Sequence, residues 1–349
     1  MNNAPMIEQT FINVERDTYM LRIVYMGTAY FAVPALEALI EGAAPGKIVP
    51  EGLEIVTVVT RPDKPAGRGR EIVYSPVKQS ALAHAIPVWQ PGSFKKAENS
   101  AALAAYAADL YIVAAFGQIL PQAVLDQPRY GTLNIHASLL PKYRGAGPIA
   151  EAILQGESET GVTIMLLDAG IDTGPTLLSR AIPLAADETT KSLTPKLAEL
   201  GSQALLAALP QWVAGTLTPQ PQDELHASHT RMLRKEDGHL QWDKPAAVLA
   251  RQIRAYTPWP AGYTHWRGKL LKILVAEPLS VEVDTLEQPT QQVQVGLVTT
   301  REEAGHQVMA VVTGSGFLIV KQVQLEGKKA MSAEEFLRGY GHIVGEVLA

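Results

Sequence analysis

Short apolar segments alternate with amphipathic helical patterns through the first 200 residues, and this alternation constrains the fold more than any other feature. The segments at residues 21–26, 54–60 and 109–115 have the composition of strands, and the last is apolar on both faces, as a central parallel strand is. The other elements predicted here are strands at 86–89, 131–136, 161–168 and 176–183 and helices at 32–41, 77–85, 97–107, 149–154 and 190–209. The alternation favours an α/β fold with a doubly wound, mostly parallel sheet.

The pattern changes after residue 209. Three prolines, Pro210, Pro219 and Pro221, lie in a polar stretch that predicts a linker over residues 210–228. Beyond it, the sequence predicts a helix at 246–255 and short strands at 262–266, 270–276, 293–299, 308–312 and 317–323. Short strands separated by turns favour a small barrel or sandwich. We therefore divide the chain into an N-terminal extension (1–20), an α/β domain (21–209), the linker and a C-terminal domain (229–340).

Composition excludes several classes of protein. The chain has no cysteine, so it has no disulfide, no thiolate nucleophile and no cysteine-ligated metal. The longest apolar stretch carries Asp109 in its middle, which costs roughly 2.5–3.5 kcal/mol in a bilayer, and we expect no membrane helix. The N-terminus lacks the features of a targeting segment, which predicts a cytoplasmic location. Met20 directly precedes the first strand and is our hypothesis for the true start, which N-terminal sequencing of the native protein tests.

Basic residues cluster in two zones of a chain whose formal net charge is −5. Residues 231–272 contain nine lysines and arginines against three acidic residues, and residues 61–70 contain four against Asp63. Local basic zones on an acidic protein indicate a specific contact with a polyanion. The alternative is chance clustering on a solvated surface.

Asn134 and His136 are the strongest candidates for chemistry. They lie two residues apart at the carboxyl end of a predicted strand, so their side chains share one face. In doubly wound sheets the carboxyl ends of the strands border the ligand crevice. An amide and an imidazole aimed into a crevice can stabilise an oxyanion and transfer a proton. Alternatively, the pair closes the strand by bonding to loop backbone.

Asp168 and Asp172 flank a glycine turn after another apolar strand. One of the two carboxylates could orient or ionise a nearby histidine, although Asp-Thr-Gly is also ordinary turn chemistry. Other motifs are weaker. Gly145-Ala-Gly147-Pro-Ile-Ala150 has the letters of a dinucleotide fingerprint without the preceding strand. Glu224, His226 and His229 could ligate a metal, but they lie in the polar linker region and we predict no metal site.

Taken together, these motifs make the sequence similar to the methionyl-tRNA formyltransferase family, over about residues 21–337. The most specific segments are Thr60-Arg-Pro-Asp-Lys-Pro-Ala-Gly-Arg-Gly69, Ser75-Pro-Val-Lys78, Asn134-Ile-His-Ala-Ser-Leu-Leu-Pro141, Glu159-Thr-Gly-Val-Thr-Ile-Met165, Ile253-Arg-Ala-Tyr-Thr-Pro-Trp-Pro260 and Gly327-Lys-Lys-Ala-Met-Ser332. One departure is Gly27-Thr-Ala-Tyr-Phe31, where the family has Gly-Thr-Pro-Asp-Phe.

The resemblance implies transfer of the formyl group of 10-formyltetrahydrofolate to the α-amine of initiator methionyl-tRNA. It places the catalytic residues at Asn134, His136 and Asp172 and requires no metal. It places the folate contacts at Phe116, Gly117, Gln118, Ile119, Leu120, Ser138, Leu139, Leu140, Pro141 and Asp168.

The resemblance also implies that the C-terminal domain is an OB-like barrel that supports the tRNA. With the two basic zones, it predicts tRNA contacts at Arg61, Lys64, Arg68, Arg70, Arg254 and Lys269. We expect a monomer. One alternative is a folate-dependent formyltransferase that acts on a small amine, such as an amino sugar nucleotide. Another is an RNA-binding protein with an inactive formyltransferase-like domain.

Overall fold

The computed structural model describes residues 19–66, 71–279, 294–303 and 306–349. Residues 1–18, most of the expected N-terminal extension, lie outside these ranges, as do Arg68 and Arg70. The first domain contains strands β1 (Leu21–Gly27), β2 (Leu53–Val59), β3 (Lys64–Ala66), β4 (Glu71–Val73), β5 (Val88–Trp89), β6 (Leu110–Ala114), β7 (Thr132–His136), β8 (Arg144–Gly145), β9 (Glu159–Leu166) and β10 (Thr176–Pro183). Its helices are α1 (Val33–Glu41), α2 (Pro76–Ala83), α3 (Ala97–Ala104), α4 (Gln122–Leu125), α5 (Pro148–Gln155) and α6 (Thr190–Val213).

Seven of the described strands form one sheet in the order β10-β9-β7-β6-β1-β2-β5. The pairs from β7 to β5 are parallel, whereas β9 and β10 add to one edge as antiparallel strands. The chain builds outward from β1 to β5 on one side and then crosses to β6 on the other. This reversal creates a crevice at the carboxyl ends of β1 and β6, where ligands bind in such sheets.

The central strand β1 is buried on both faces, which explains its continuous apolar run. On one face, Ile23 packs in a core that includes Leu36 of α1 and Leu197 of α6. On the other face, Val24 packs in a core that includes Phe94. Burying each such aliphatic side chain contributes roughly 1.5–3 kcal/mol, so the two helical layers hold the sheet rigidly.

The C-terminal domain is an antiparallel sheet with a helix at each end of its sequence. It consists of α7 (Ala246–Ala255), β12 (Gly262–Trp266), β13 (Lys269–Leu279), β14 (Val298–Glu303), β15 (His306–Val312), β16 (Phe317–Leu325), β17 (Met331–Ser332) and α8 (Ala333–Tyr340), after the short strand β11 (His229–Thr230). The strand order is β12-β13-β16-β15-β14, with β17 on β16. The predicted fold class, a mostly parallel α/β domain followed by a small β domain, is confirmed.

Some element bounds differ from the sequence prediction. Helix α6 continues through Pro210 to Val213, so the first residues of the predicted linker are helical. Proline removes one backbone donor, but Trp212 anchors the last turn by donating from its indole nitrogen to the Tyr130 carbonyl at 2.8 Å. Strand β14 begins at Val298, later than predicted, and helix α8 was missed.

The two domains contact each other through α5 and α7. Arg251 Nε donates to the Leu154 carbonyl at 3.0 Å, and Arg254 Nη1 donates to the Glu188 carbonyl at 2.9 Å. Thr190, at the start of α6, donates to the Ala255 carbonyl at 2.6 Å. The last turn of α5 and the last turn of α7 are thus each hydrogen-bonded to the other domain. None of the helices in the described ranges meets the length and hydropathy that a bilayer-crossing helix requires.

Gly161 of β9 pairs with Ala181 of β10, and we expect Gly161→Ala to destabilise the protein. A Cβ there would lie 2.1 Å from the Arg180 carbonyl oxygen and 2.6 Å from Leu139 Cδ2. Relieving that overlap requires backbone movement, which typically costs about 1–3 kcal/mol. Urea unfolding measures the loss, with Gly92→Ala as the control because Gly92 is exposed and a Cβ there meets nothing described within 4 Å. Equal midpoints for the two variants would contradict this account.

Candidate active site

Strand β7 carries Asn134 and His136 to the carboxyl edge of the sheet, and Asp172 meets them from the loop after β9. Both β7 side chains are buried, at 8% and 5% exposure. Asn134 Nδ2 donates to Asp172 Oδ1 at 3.4 Å, and His136 Nδ1 lies 3.5 Å from Asp172 Oδ2. The three residues that the resemblance implies are therefore brought together around one carboxylate.

The backbone fixes the protonation pattern of the His136 ring. Nε2 lies 3.0 Å from the Tyr143 carbonyl oxygen, which can only accept, so Nε2 carries the hydrogen of that bond. The proton that His136 can gain or lose is therefore the one on Nδ1, which faces Asp172. When Nδ1 is protonated, it forms an ion pair with the Asp172 carboxylate.

The Asp172 turn has a defined geometry. Asp172 has φ of +53°, a left-handed conformation that aspartate adopts more readily than most residues. Its Oδ2 accepts a hydrogen bond from the Gly145 backbone N–H at 2.8 Å. Asp168 Oδ1 accepts from Gly170 N at 3.1 Å and from Thr173 Oγ1 at 2.7 Å, so this carboxylate folds the loop that presents Asp172.

A second polar layer lies behind Asp172. Arg144 is 1% exposed and donates to Glu224 through two nitrogens, at 3.0 and 2.8 Å. The Arg144 Nε donates to Gln222 Oε1 at 3.0 Å. The hydrogen bonds to Glu224, with the charges of Asp168 and Asp172, raise the pKa of the Arg144 guanidinium, and the same hydrogen bonds lower the pKa of Glu224. A permanent positive charge therefore lies close to the Asp172 turn.

The predicted folate residues lie in two segments that follow β6 and β7. After β6, Phe116 and Leu120 are buried, Gly117 and Ile119 are exposed, and Gln118 donates to the Pro91 carbonyl at 3.1 Å. The segment thus presents an exposed glycine and isoleucine above an apolar floor.

In the predicted folate segment after β7, both the hydroxyl and the carbonyl of Ser138 form hydrogen bonds within the protein. The Ser138 hydroxyl donates to the Lys142 carbonyl at 2.6 Å, and the Ser138 carbonyl accepts from Thr163 Oγ1 at 2.8 Å. These bonds shape the turn, whose next residues, Leu139, Leu140 and Pro141, are half-buried. A folate role for these residues stays a prediction.

The predicted tRNA contacts have different surroundings. Arg61 is exposed at the crevice: its N–H donates to Thr28 Oγ1 at 3.3 Å, and a Cβ at Gly117 would lie 3.4 Å from its Nη1. Lys64 and Lys269 are exposed, whereas Arg254 is half-buried between the domains. Their tRNA role, like that of Arg68 and Arg70, stays a prediction.

The C-terminal basic zone is less available than its composition suggests. Four of its nine basic side chains are held by internal partners: Arg231 by Asp237, Arg251 and Arg254 by backbone carbonyls, and Arg267 by Glu346. Among the described residues, Lys235, Lys244 and Lys269 are exposed lysines of this zone.

Sequence reasoning missed Arg144 and Gln222. The sequence signal for Arg144 was an isolated arginine in a glycine- and proline-rich segment. The signal for Gln222 was a polar residue two positions from another in the predicted linker. Glu224, considered as a metal ligand, is instead the ion-pair partner of Arg144, and His226 pairs with Asp223. Within the described ranges, no three His, Asp or Glu residues form a group that could hold a metal ion.

Family models and relatives agree on one family. A model described as formyl transferase matches residues 21–209, and one described as formyl transferase, C-terminal domain, matches residues 232–341. Methionyl-tRNA formyltransferases of Thiobacillus denitrificans and Hydrogenovibrio crunogenus are 46% and 44% identical to this chain over 319 residues, which is 91% of this chain and 96% of each relative. These relatives span almost the same length as the chain.

Solved structures show the same fold. The crystal structure of an N-formyltransferase from Helicobacter canadensis, in complex with folinic acid and dTDP-3-aminofucose, has a TM-score of 0.60 against this chain at 17% sequence identity. The match covers 88% of this chain and all of that one.

Acid should weaken the hydrogen bonds that Glu157 accepts from Tyr143 and Lys142, and replacing Glu157 tests this expectation. The hydrogen bonds from the Tyr143 hydroxyl and from Lys142 Nζ, the latter at 2.9 Å, lower the pKa of Glu157. A carboxylate whose pKa is lowered by folding stabilises the protein above its unfolded pKa of roughly 4.3, and this contribution is lost as pH falls through the folded pKa. We expect Glu157→Gln to have a lower Tm than wild type at pH 7. We also expect its Tm to fall less than that of wild type between pH 5 and pH 3. The exposed Glu41→Gln is the control, and parallel curves for Glu157→Gln and wild type would refute the assignment.

Proposed function

The chain belongs to the formyl transferase family, and from this premise we propose that it transfers the formyl group of 10-formyltetrahydrofolate to the α-amino group of initiator methionyl-tRNA. The activity is formylation of methionyl-tRNA, the activity for which relatives 44–46% identical over nearly the whole chain are named. The observation that carries the site assignment is the convergence of Asn134 Nδ2 and His136 Nδ1 on the Asp172 carboxylate. A folate as formyl donor also agrees with the folinic acid bound to the structural neighbour.

The reaction needs proton transfer and charge stabilisation but no covalent enzyme intermediate. The α-amine attacks the formyl carbon, which forms a C–N bond and a tetrahedral oxyanion. The bond from the formyl carbon to N10 of the folate then breaks. One proton leaves the attacking nitrogen and one reaches N10, so the groups that the protein must supply are a hydrogen-bond donor and a proton carrier.

Asn134 supplies the donor. A free α-amine has a pKa of roughly 7.7–8.0, and the electron-withdrawing aminoacyl ester lowers that pKa, so the nucleophile is available unprotonated near neutral pH. The Asn134 amide donates only weakly to Asp172, at 3.4 Å, and its second hydrogen can stabilise the oxyanion. Losing one such donor typically costs about 2.7–4 kcal/mol of transition-state stabilisation.

The His136–Asp172 pair supplies the proton carrier. Because Nε2 is held by the Tyr143 carbonyl, His136 gains a proton at Nδ1, and Asp172 then stabilises the imidazolium at 3.5 Å. Asp172 is 15% exposed, more than His136, so this carboxylate is the part of the pair that borders solvent and substrate. Asp172 therefore both orients the ring and stabilises the positive charge that forms on it.

The crevice beside the pair supports the substrate assignments. Exposed Gly117 and Ile119 follow β6, the strand next to β7, which carries Asn134 and His136. We propose that the folate binds against Gly117 and Ile119. Arg61 lies at the same edge and Lys64 follows it, which is where we place the tRNA acceptor end. Arginine binds phosphate bidentately or stacks on bases. A cytoplasmic monomer remains our expectation from the sequence.

The catalytic pair is tested by Asp172→Asn. Asparagine has the same shape and tolerates the left-handed backbone, so this variant removes the charge with little effect on the fold. We expect formyl transfer from 10-formyltetrahydrofolate to charged initiator tRNA to fall about 10²–10⁴-fold in kcat, as for loss of a general acid–base group. His136→Ala should fall similarly, with folate affinity retained in both.

Two outcomes would contradict parts of this proposal. Transfer by Asp172→Asn at the wild-type rate would remove Asp172 from the chemistry. If wild type binds folate but does not formylate methionyl-tRNA, the acceptor is a small amine, and amino sugar nucleotides are the next substrates to assay.

The predicted tRNA contact of the basic zone at residues 61–70 is tested by Arg68→Ala. We expect weaker binding of methionyl-tRNA and a salt dependence of log affinity whose slope is smaller by about 1, as for one lost phosphate contact. Binding is measured between 50 and 200 mM salt. Arg180→Ala is the control and should leave the slope unchanged, because Arg180 is an exposed arginine on edge strand β10, outside both basic zones. Identical slopes for Arg68→Ala and wild type would exclude a phosphate contact by Arg68.

A further inference from the structure

The segment that joins the two domains lies directly against the Asp172 turn. Gln220 and Thr176, the first residue of β10, exchange two backbone hydrogen bonds at 2.8 Å. Nine residues further on, β11 begins and pairs with β8, so that His229 lies beside Arg144. The two ends of the segment 220–230 are therefore fixed to β10, which follows the turn, and to β8, whose Gly145 donates to Asp172.

Gln222, inside this segment, contacts the turn through its side chain. Its Nε2 donates to the Asp172 carbonyl at 2.8 Å and to the Gly174 carbonyl at 2.7 Å. Both amide hydrogens are thus used on the backbone of one short turn. Its Oε1 accepts from Arg144 Nε at 3.0 Å, which fixes the orientation of the amide.

Arg144 connects this contact to the rest of the site. Its guanidinium is buried and held by Glu224, so it cannot swing away from Gln222. The next residue, Gly145, donates its backbone N–H to Asp172 Oδ2. Asp172 is consequently held from both sides: its carboxylate by Gly145, and its carbonyl by Gln222.

We propose that Gln222 is a positioning residue for Asp172, so that the segment between the domains is a working part of the active site. This inference rests on the proposed function. The contact of Asp172 Oδ2 with His136 Nδ1 is 3.5 Å, already at the limit of a useful interaction, and movement of the turn away from β7 would break it. Misplacement of a reacting group by about 1 Å can cost 10²-fold in rate.

The test compares Gln222→Ala, Gln222→Glu and Gln220→Ala. Gln222→Ala removes all three contacts, whereas Gln222→Glu keeps the acceptor for Arg144 and loses both donors to the turn. Gln220→Ala is the matched control, because the exposed Gln220 side chain donates to the Thr218 carbonyl at 3.3 Å and, among the described residues, to no part of the Asp172 turn. We expect kcat to fall roughly 10–100-fold in both Gln222 variants, with KM for folate and tRNA changed less than about 3-fold, and no change in the control.

A double variant separates positioning from general destabilisation. If Gln222 acts through Asp172, then Gln222→Ala added to Asp172→Asn lowers kcat no further than Asp172→Asn alone. A multiplicative loss in the double variant, or an equal loss in Gln220→Ala, would overturn the proposal.

Amide hydrogen exchange gives a readout that does not depend on the acceptor. We expect faster exchange at Gly145 and through residues 168–174 in Gln222→Ala but not in Gln220→Ala. Unchanged exchange would overturn the positioning role, whichever amine the enzyme formylates. Failure of wild type to formylate methionyl-tRNA would instead overturn only the proposed function.

Discussion

The rest of the site depends on the contacts of the Asp172 carboxylate. It accepts from the Asn134 amide and from the Gly145 backbone N–H, and it faces His136 Nδ1. A carboxylate in such a place requires partners, because an unpaired charge removed from water is costly. The same contacts that satisfy Asp172 also align the two side chains that border the crevice.

The sheet makes this convergence possible because it fixes where strands end. Strand β7 is parallel to β6 and antiparallel to β9, so β9 ends beside the start of β7, and the loop after β9 brings Asp172 back to Asn134 and His136. Leu133 and Ile135 hold one face of β7 in the core that includes residues of α6, and Asn134 and His136 lie on the other face. Asn134 and His136 therefore lie on a packed strand, while the Asp172 turn is held by hydrogen bonds to Gly145 and Gln222.

Charge in this protein has two separate tasks. Arg144 is buried against Glu224 and shapes the site, and Arg231, Arg251, Arg254 and Arg267 are engaged in internal contacts. Arg61 and Lys64, by contrast, are exposed beside the crevice. Clustering of basic residues along the sequence does not distinguish these tasks. The sequence is the same whether an arginine guanidinium is bonded to a carbonyl or faces solvent.

The sequence by itself determined the fold class, most strands and the pair Asn134 and His136. These follow from local patterns: apolar runs form buried strands, and a period of two puts both side chains on one face. Asp172 was implied by family resemblance, while its residues alone also fitted an ordinary turn. Only the tertiary structure brought Gln222 and Arg144 to that turn, across 50 and 28 positions of chain. Such contacts are decided by how strands order in the sheet and by where the chain returns after α6, and no local pattern encodes that return.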